Sequence, residues 1–286
     1  MTRSRRTPIV PLAYRDPAFM ESVPARPMRI LAEYIDPLAR LRHEGIGDTI
    51  VMFGSARMIS RAEAKTRLAR LARGPRSRSA DARKAHQIKL REARAAFEMS
   101  RYYEEARELA RRITEWSMTL GNNPRRFVIC SGGGPGIMEA ANRGATEAGG
   151  KSIGLNIQLP HEQAPNSYIS PELNFNFHYF FMRKLWFAQL AKALIVFPGG
   201  FGTLDELCEM LTLLQTDKLS RRNLILIYGR RYWDEVLNWR AMVRWGTINE
   251  HEYGMLQFAD TVDEAFERVC MGLEKNHMPL DLDWMS

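Results

Sequence analysis

Cysteine is scarce in this chain of 286 residues, and its three copies, Cys130, Cys208 and Cys270, are odd in number and far apart. No disulfide framework or zinc-ligand spacing can be drawn from them, and a reducing cytoplasm is the expected compartment. Long hydrophobic runs are also missing. No apolar stretch approaches the roughly eighteen residues that would span a bilayer, so no membrane association is expected. The N-terminal stretch MTRSRRTPIVPLAYRDP is basic but lacks an apolar centre, which is not the pattern of a secretory signal. His43, His86, His161, His178, His251 and His277 show no metal-ligand spacing, so no metal is expected.

What is present is the composition of a globular protein. Hydrophobic residues make up 45% and charged residues 26%, which excludes fibrous, collagen-like and wholly disordered classes. The net charge of +8 is unevenly spread. Residues 61–94 hold twelve Lys/Arg against three Asp/Glu, and residues 1–29 hold six Arg against two acids. The rest of the chain is therefore slightly acidic. Because no aromatic residue lies between 58 and 96, base stacking has no platform there and nucleic-acid binding is not expected.

Residues 1–29 carry Pro8, Pro11, Pro17, Pro24 and Pro27 and read as an extended basic arm. The remainder, 30–286, reads as one domain. A helix is expected over 30–46 and a strand in TIVMFGSAR (49–57), ending at Gly54 and Ser55. A basic helical insertion follows at about 58–120. It has a turn at GPRSRS (74–79) and a long helix over 81–120 with an apolar stripe of Phe97, Tyr102, Leu109, Ile113, Trp116 and Leu120. From 127 onward strands and helices alternate: FVIC, SIGLNI, FNF, ALIVF, LILIYG and MLQFA are strands, with helices at 136–148, 179–191, 203–215, 232–245 and 261–274. Continuous Val/Ile/Leu/Phe runs signal strands buried on both faces of a parallel sheet. Strands alternating with helices signal an α/β, doubly wound, Rossmann-like fold, which binds ligands at the carboxyl ends of its strands.

Two such ends carry glycine turns. SGGGPGIMEAANRGA (131–145) places Gly132, Gly133, Gly134 and Gly136 before a helix whose N-terminus favours an anion, with Glu139 in its first turn. The turn is not a dinucleotide fingerprint, since the third glycine position is Ile137 or Glu139 and no acid follows about twenty residues on. A near-match to a phosphate loop at Ala145, Gly150, Lys151 and Ser152 leaves a helix and enters a strand, the wrong order for that motif. The second turn, PGGFGTLDELCEM (198–210), places Gly199, Gly200, Gly202 and Thr203 at another helix start. Here Thr203-x-x-Glu206 can be read two ways: as a capping box, or as a functional carboxylate at the mouth of a phosphate seat. Asp205 has the weaker functional claim.

Between the turns, FHYFFMRKLWFAQLAKA (177–193) is apolar nearly all round and should be buried. Arg183 shares a face with Phe187 and Leu190, so it must meet an anion or be costly. Lys184 is expected to be solvated.

These residues carry a resemblance. PGGFGTLDE (198–206) is similar to the PGGxGTxxE signature of the Lonely Guy (LOG) family, Met182-Arg183-Lys184 to its Arg-Lys pair, and SGGGPGIMEAA and FGSAR to its first glycine turn and opening strand end. The resemblance covers roughly 49–57 and 127–275. It implies hydrolysis of the N-glycosidic bond of a nucleoside 5′-monophosphate, AMP or a cytokinin riboside monophosphate, to free base and ribose 5-phosphate. Glu206 and Arg183 would be catalytic. Gly54, Ser55, Gly132, Gly133, Gly134, Gly136, Glu139, Gly199, Gly200, Gly202 and Thr203 would bind the substrate. The resemblance also implies a homodimer or higher homo-oligomer, and no cofactor. The alternative is a non-catalytic nucleotide-binding or carrier protein, which would need the loops but neither Glu206 nor Arg183.

Overall fold

Short β-branched and aromatic runs, each followed by a glycine or polar turn, form strands here because both of their faces can be covered by helices. The computed structural model describes residues 10–74, 79–121, 125–160, 164–220 and 222–278. The first part of the basic arm, the turn at 75–78 and His161 lie outside the described residues. Among the described residues seven strands, β1 (Thr49–Phe53), β2 (Val128–Ser131), β3 (Ser152–Ile157), β4 (Asn174–Phe177), β5 (Ala191–Val196), β6 (Leu224–Tyr228) and β7 (Leu256–Ala259), make one sheet in the order β4-β3-β2-β1-β5-β6-β7. Every pairing is parallel.

The helices are α1 (Pro17–Met20), α2 (Arg26–His43), α3 (Arg61–Ala72), α4 (Ala80–Thr119), α5 (Ile137–Glu147), α6 (Phe180–Leu190), α7 (Phe201–Gln215), α8 (Arg230–Val236), α9 (Trp239–Arg244), α10 (Glu250–Tyr253) and α11 (Val262–His277). The period-2 alternation of the strands divides the core in two. Ile50 and Met52 of β1 face α4, α5 and α11, packing with Leu109, Ile113, Ile137 and Val269. Val51 and Phe53 face α2, α6 and α7, packing with Leu41, Phe187 and Leu207. The sheet is thus doubly wound, and the chain reverses its direction of growth at the gap between β1 and β5. Phe197 N–H donates to the Phe53 carbonyl (2.8 Å) and Ser55 N–H to the Pro198 carbonyl (3.0 Å), which ties the two strand ends together at that switch.

The insertion is present but does two jobs. α3 and the first turns of α4 are its basic, exposed part. From Ser100 onward α4 is the crossover helix between β1 and β2, with Tyr102, Tyr103, Leu109 and Ile113 buried. The helix expected over 232–245 is two, α8 and α9, because Leu237 is extended (φ −130°, ψ 119°) and Asn238 caps α9 through its side chain. The phosphate-loop near-match is structural: Lys151 lies at the amino end of β3, paired with Glu172 and Glu44.

α4 crosses α5 very closely, and the crossing depends on a missing side chain. A Cβ at Gly144 would lie inside the envelope of the Arg107 backbone carbonyl. Alanine is the better helix former by about 0.8–1.0 kcal/mol, but overpacking backbone against backbone costs about 1–3 kcal/mol. Gly144→Ala should therefore lower the melting temperature, whereas a change that followed helix propensity alone would raise it; thermal unfolding followed by circular dichroism reads the sign.

Candidate active site

The carboxyl ends of β1 and β5, on either side of the switch, open into a cleft of about 820 Å³. Its walls include Gly54, Ser55, Arg57 and Met58 after β1, Gly132 and Met138 after β2, and Pro198 to Leu204 after β5. Arg183 and Glu206 also line it, with Tyr232 and Val236 of α8. Ala95, Ala96 and Met99 close it from α4.

The turn after β5 is held open by geometry. A Cβ at Gly199 would collide with the Thr203 side chain, and the Gly199 carbonyl accepts a hydrogen bond from the Tyr232 hydroxyl (2.9 Å). α7 begins at Phe201 with Gly200 as its N-cap and has no side-chain cap. Its leading N–H groups have no helical acceptor and so present a positive helix end to the cleft. This start is two residues earlier than the sequence suggests, and it decides the reading of Glu206. Thr203 is inside the first turn and donates its N–H to the Gly200 carbonyl (3.0 Å), so no capping box joins Thr203 to Glu206. Glu206 sits in the second turn instead, buried, with its side chain turned toward α6.

There it meets two cations. Its Oε1 lies 3.8 Å from the Arg183 guanidinium and 3.3 Å from Lys184 Nζ. Burial raises the Glu206 carboxyl above its ordinary value, while the charges of Lys184 and Arg183 oppose that rise. Burial lowers the Arg183 pKa, and Arg183 Nε is buried without a hydrogen-bond partner among the described residues. Its guanidinium lies between the Phe180 and Phe187 rings, 5.1 and 5.7 Å from their centroids. An arginine so desolvated and with an unused donor is poised to receive an anionic or oxygen-rich ligand.

Lys184 is not solvated as expected. It bonds to Glu209 Oε2 (2.6 Å) and Asp205 Oδ2 (2.8 Å) as well as approaching Glu206. Burial works against its charge, but the hydrogen bonds to Asp205 and Glu209 and the charge of Glu206 hold its pKa above the ordinary value. The helix-period spacing from Lys184 to the acids of α7 is invisible in sequence because the two helices meet only in the fold.

The other expected residues divide. Gly54, Ser55, Gly132, Gly199, Gly200, Gly202 and Thr203 come together at the cleft. Gly133, Gly134, Gly136 and Glu139 do not line it. Gly133 N–H donates to Ser131 Oγ (3.0 Å), and the carbonyls of Gly133 and Gly134 accept from Asn166 Nδ2. Gly136 (φ +72°) fits where a Cβ would strike the Ser55 carbonyl, and Ile137 N–H donates to that same oxygen (3.2 Å). The first glycine turn thus clamps the Ser55 loop in place. Glu139 accepts a hydrogen bond from the Tyr103 hydroxyl (2.6 Å) on the α4 side. Sequence reasoning missed Arg57, Met58, Ala95, Ala96, Met99, Met138 and Tyr232. Tyr232 follows the glycine at the end of β6 and could have been found by the strand-end rule. The α4 residues carry no such signal.

The chain is similar to several known proteins. The family model described as "Possible lysine decarboxylase" matches residues 138–269. Over 112 residues the chain is 30% identical to the probable cytokinin riboside 5′-monophosphate phosphoribohydrolase LOGL5 of Oryza sativa subsp. japonica. That match spans 38% of this chain and 44% of the rice protein, less than half of that relative's length. A structural-genomics target solved by X-ray crystallography aligns with a TM-score of 0.43 at 19% identity, covering 78% of this chain and 99% of its own. The Moco carrier protein of Chlamydomonas reinhardtii aligns with a TM-score of 0.43 at 18% identity, covering 80% and 99%. Decarboxylation through pyridoxal phosphate would need a lysine in the cleft. Among the described residues no lysine lines it, and Lys184 is engaged by carboxylates.

The cluster makes a specific electrostatic prediction. The nearby charge of Lys184 holds the Glu206 carboxyl down against its burial, so Lys184→Met should raise the Glu206 pKa further. Carbon NMR titration of labelled glutamate side chains reads this directly. An unmoved Glu206 resonance would show that Lys184 serves only Asp205 and Glu209.

Proposed function

From the chain's similarity to the Lonely Guy family, we propose that the cleft hydrolyses the N-glycosidic bond of a nucleoside 5′-monophosphate, releasing free base and ribose 5-phosphate. The observation that carries this reading is the buried Glu206–Arg183 pair beside the uncapped start of α7. Cleavage of a glycosidic bond builds positive charge on the ribose ring. A carboxylate held under the ring stabilises that charge and orients the attacking water, and Glu206 takes both roles in this reading. Arg183, with an unused buried donor, binds the ribose or the departing base. The N–H groups of the Gly199–Thr203 turn and the α7 end take the 5′-phosphate. The base lies against Met58, Ala95, Ala96, Met99 and Met138, an apolar wall that includes the α4 residues and accepts adenine, as in AMP, or an N6-substituted adenine, as in a cytokinin nucleotide. A protein that only bound or carried a nucleotide would have no use for a desolvated carboxylate between two cations.

The same reading takes the protein as a cytoplasmic homodimer or higher homo-oligomer. α2 and α6 pack together and leave Met28, Leu31 and Ile35 of one, and Phe180, Phe181 and Leu185 of the other, exposed. These form an apolar face continuous with the helix that carries Arg183, suited to a second subunit.

Glu206→Gln keeps the shape but removes the charge. It should melt close to the parent, since Lys184 retains Asp205 and Glu209, yet lose at least ~100-fold in turnover, as expected for a preorganised charge at the transition state. Arg183→Ala should lose activity too, and Asp205→Asn should keep most of it. Full activity in Glu206→Gln, by chromatographic detection of free base, would remove the carboxylate from the mechanism.

The phosphate seat makes a second demand. AMP should be cleaved and adenosine hardly at all, because losing charge-assisted hydrogen bonds of about 1.5–3 kcal/mol each costs orders of magnitude in kcat/KM. Equal turnover of the two would contradict the placement of the phosphate at α7.

A further inference from the structure

The structure assigns a second binding surface to this chain: the exposed, unneutralised cations of α3 and the first turns of α4, which fit the phosphate backbone of a double-stranded nucleic acid. The argument comes from a contrast within one helix. In the second half of α4 three of the four arginines pair with acids, and the fourth, Arg101, donates to the Tyr102 hydroxyl (2.7 Å). Arg107 pairs with Glu147 and Glu104, Arg111 with Glu108 and Glu115, and Arg112 with Asp263. In the first half and on α3, Lys65, Arg67, Arg70, Arg73, Arg83, Lys84, Lys89, Arg91 and Arg94 are all exposed. None of these nine has an ion-pair, hydrogen-bonding side-chain or ring partner among the described residues. A helix face that served only solubility would intersperse acids at i+3 or i+4, as the second half of the same helix does. Here only Glu63, Asp81 and Glu92 stand among the cations.

The chemistry of the patch narrows the partner. Ile88 is the one large hydrophobic exposed on α3 or on α4 before Met118, so the hairpin lacks the apolar side chains that an anionic membrane surface would accept. Aromatic residues are absent between 58 and 96, so bases have nothing to stack on. That absence argues against single strands, but duplex binding through phosphates needs no stacking and reads no sequence. The sequence-based expectation of no nucleic-acid partner rested on stacking alone. The slightly acidic remainder of the chain repels a polyanion, and so directs contact to this hairpin. This inference stands apart from the hydrolase reading, because none of the nine cations lines the cleft.

The test uses the full chain and short labelled duplexes of DNA and of RNA, with fluorescence polarisation read across a salt series. Affinity for at least one duplex should fall by on the order of 10³-fold between ~50 and ~200 mM salt, the behaviour of a protein neutralising several phosphates. Reversing Arg83, Lys84 and Arg91 to Glu should abolish binding, with circular dichroism and AMP hydrolysis unchanged. Reversing Arg231, Arg240 and Arg268 to Glu, an equal change in net charge elsewhere, should leave binding largely intact. Equal loss in both variants, absence of duplex binding at low salt, or equally strong binding to phosphatidylserine vesicles would overturn the proposal. So would a patch variant whose lost binding accompanies a changed oligomeric mass by light scattering.

Discussion

The arrangement around the cleft depends on one electrostatic constraint: a carboxylate taken out of water beside two cations. Burying a charge is costly unless it is paired, and Glu206 is buried at a point where α6 and α7 converge at the carboxyl end of the central strands. Lys184 and Arg183 are neighbours in sequence but do different work. Lys184 is saturated by Asp205, Glu209 and Glu206, so it holds α6 against α7. Arg183 approaches Glu206 only at 3.8 Å and keeps a buried donor unused. The lysine satisfies the fold and leaves the arginine's buried donor unused.

The position of this pair follows from topology. Parallel strands buried on both faces cannot present side chains to water except at their ends, and the reversal between β1 and β5 leaves a gap there that no crossover helix covers. The two glycine turns share the labour. The turn after β2 spends its carbonyls and N–H groups on Asn166, Ser131 and Ser55, and so fixes the Ser55 loop. The turn after β5 keeps its helix N-terminus uncapped. Two loops that look alike in composition thus differ: one spends its backbone groups inside the fold, the other leaves a helix end free at the cleft.

Much of this was legible in the sequence. Strand runs such as SIGLNI need no tertiary information, and its bounds match β3 residue for residue. The doubly wound sheet followed from alternation, whereas Gly54, Gly199 and Arg183 were drawn into one expected site by the family resemblance. What was illegible depended on register between elements distant in the chain. The helix start at Phe201 instead of Thr203 dissolved the capping box, because glycines at 199 and 200 let the chain turn earlier than a hydroxyl cap would. Lys184 looked like a surface lysine because its acids lie on another helix. Ala95 and Met99 looked like unremarkable positions of a charged helix, yet they close the cleft, because α4 runs on from the crossover past the strand ends.

Which bond of AMP is broken separates glycosidic hydrolysis from phosphate-ester cleavage. Incubating the protein with AMP in heavy-oxygen water and following the products by mass spectrometry tests this most directly. Glycosidic hydrolysis at the Glu206 site predicts free adenine without label and ribose 5-phosphate carrying one labelled oxygen at its anomeric carbon. Label in inorganic phosphate with release of adenosine would mean phosphate-ester cleavage, and would contradict the placement of Glu206 beneath the ribose.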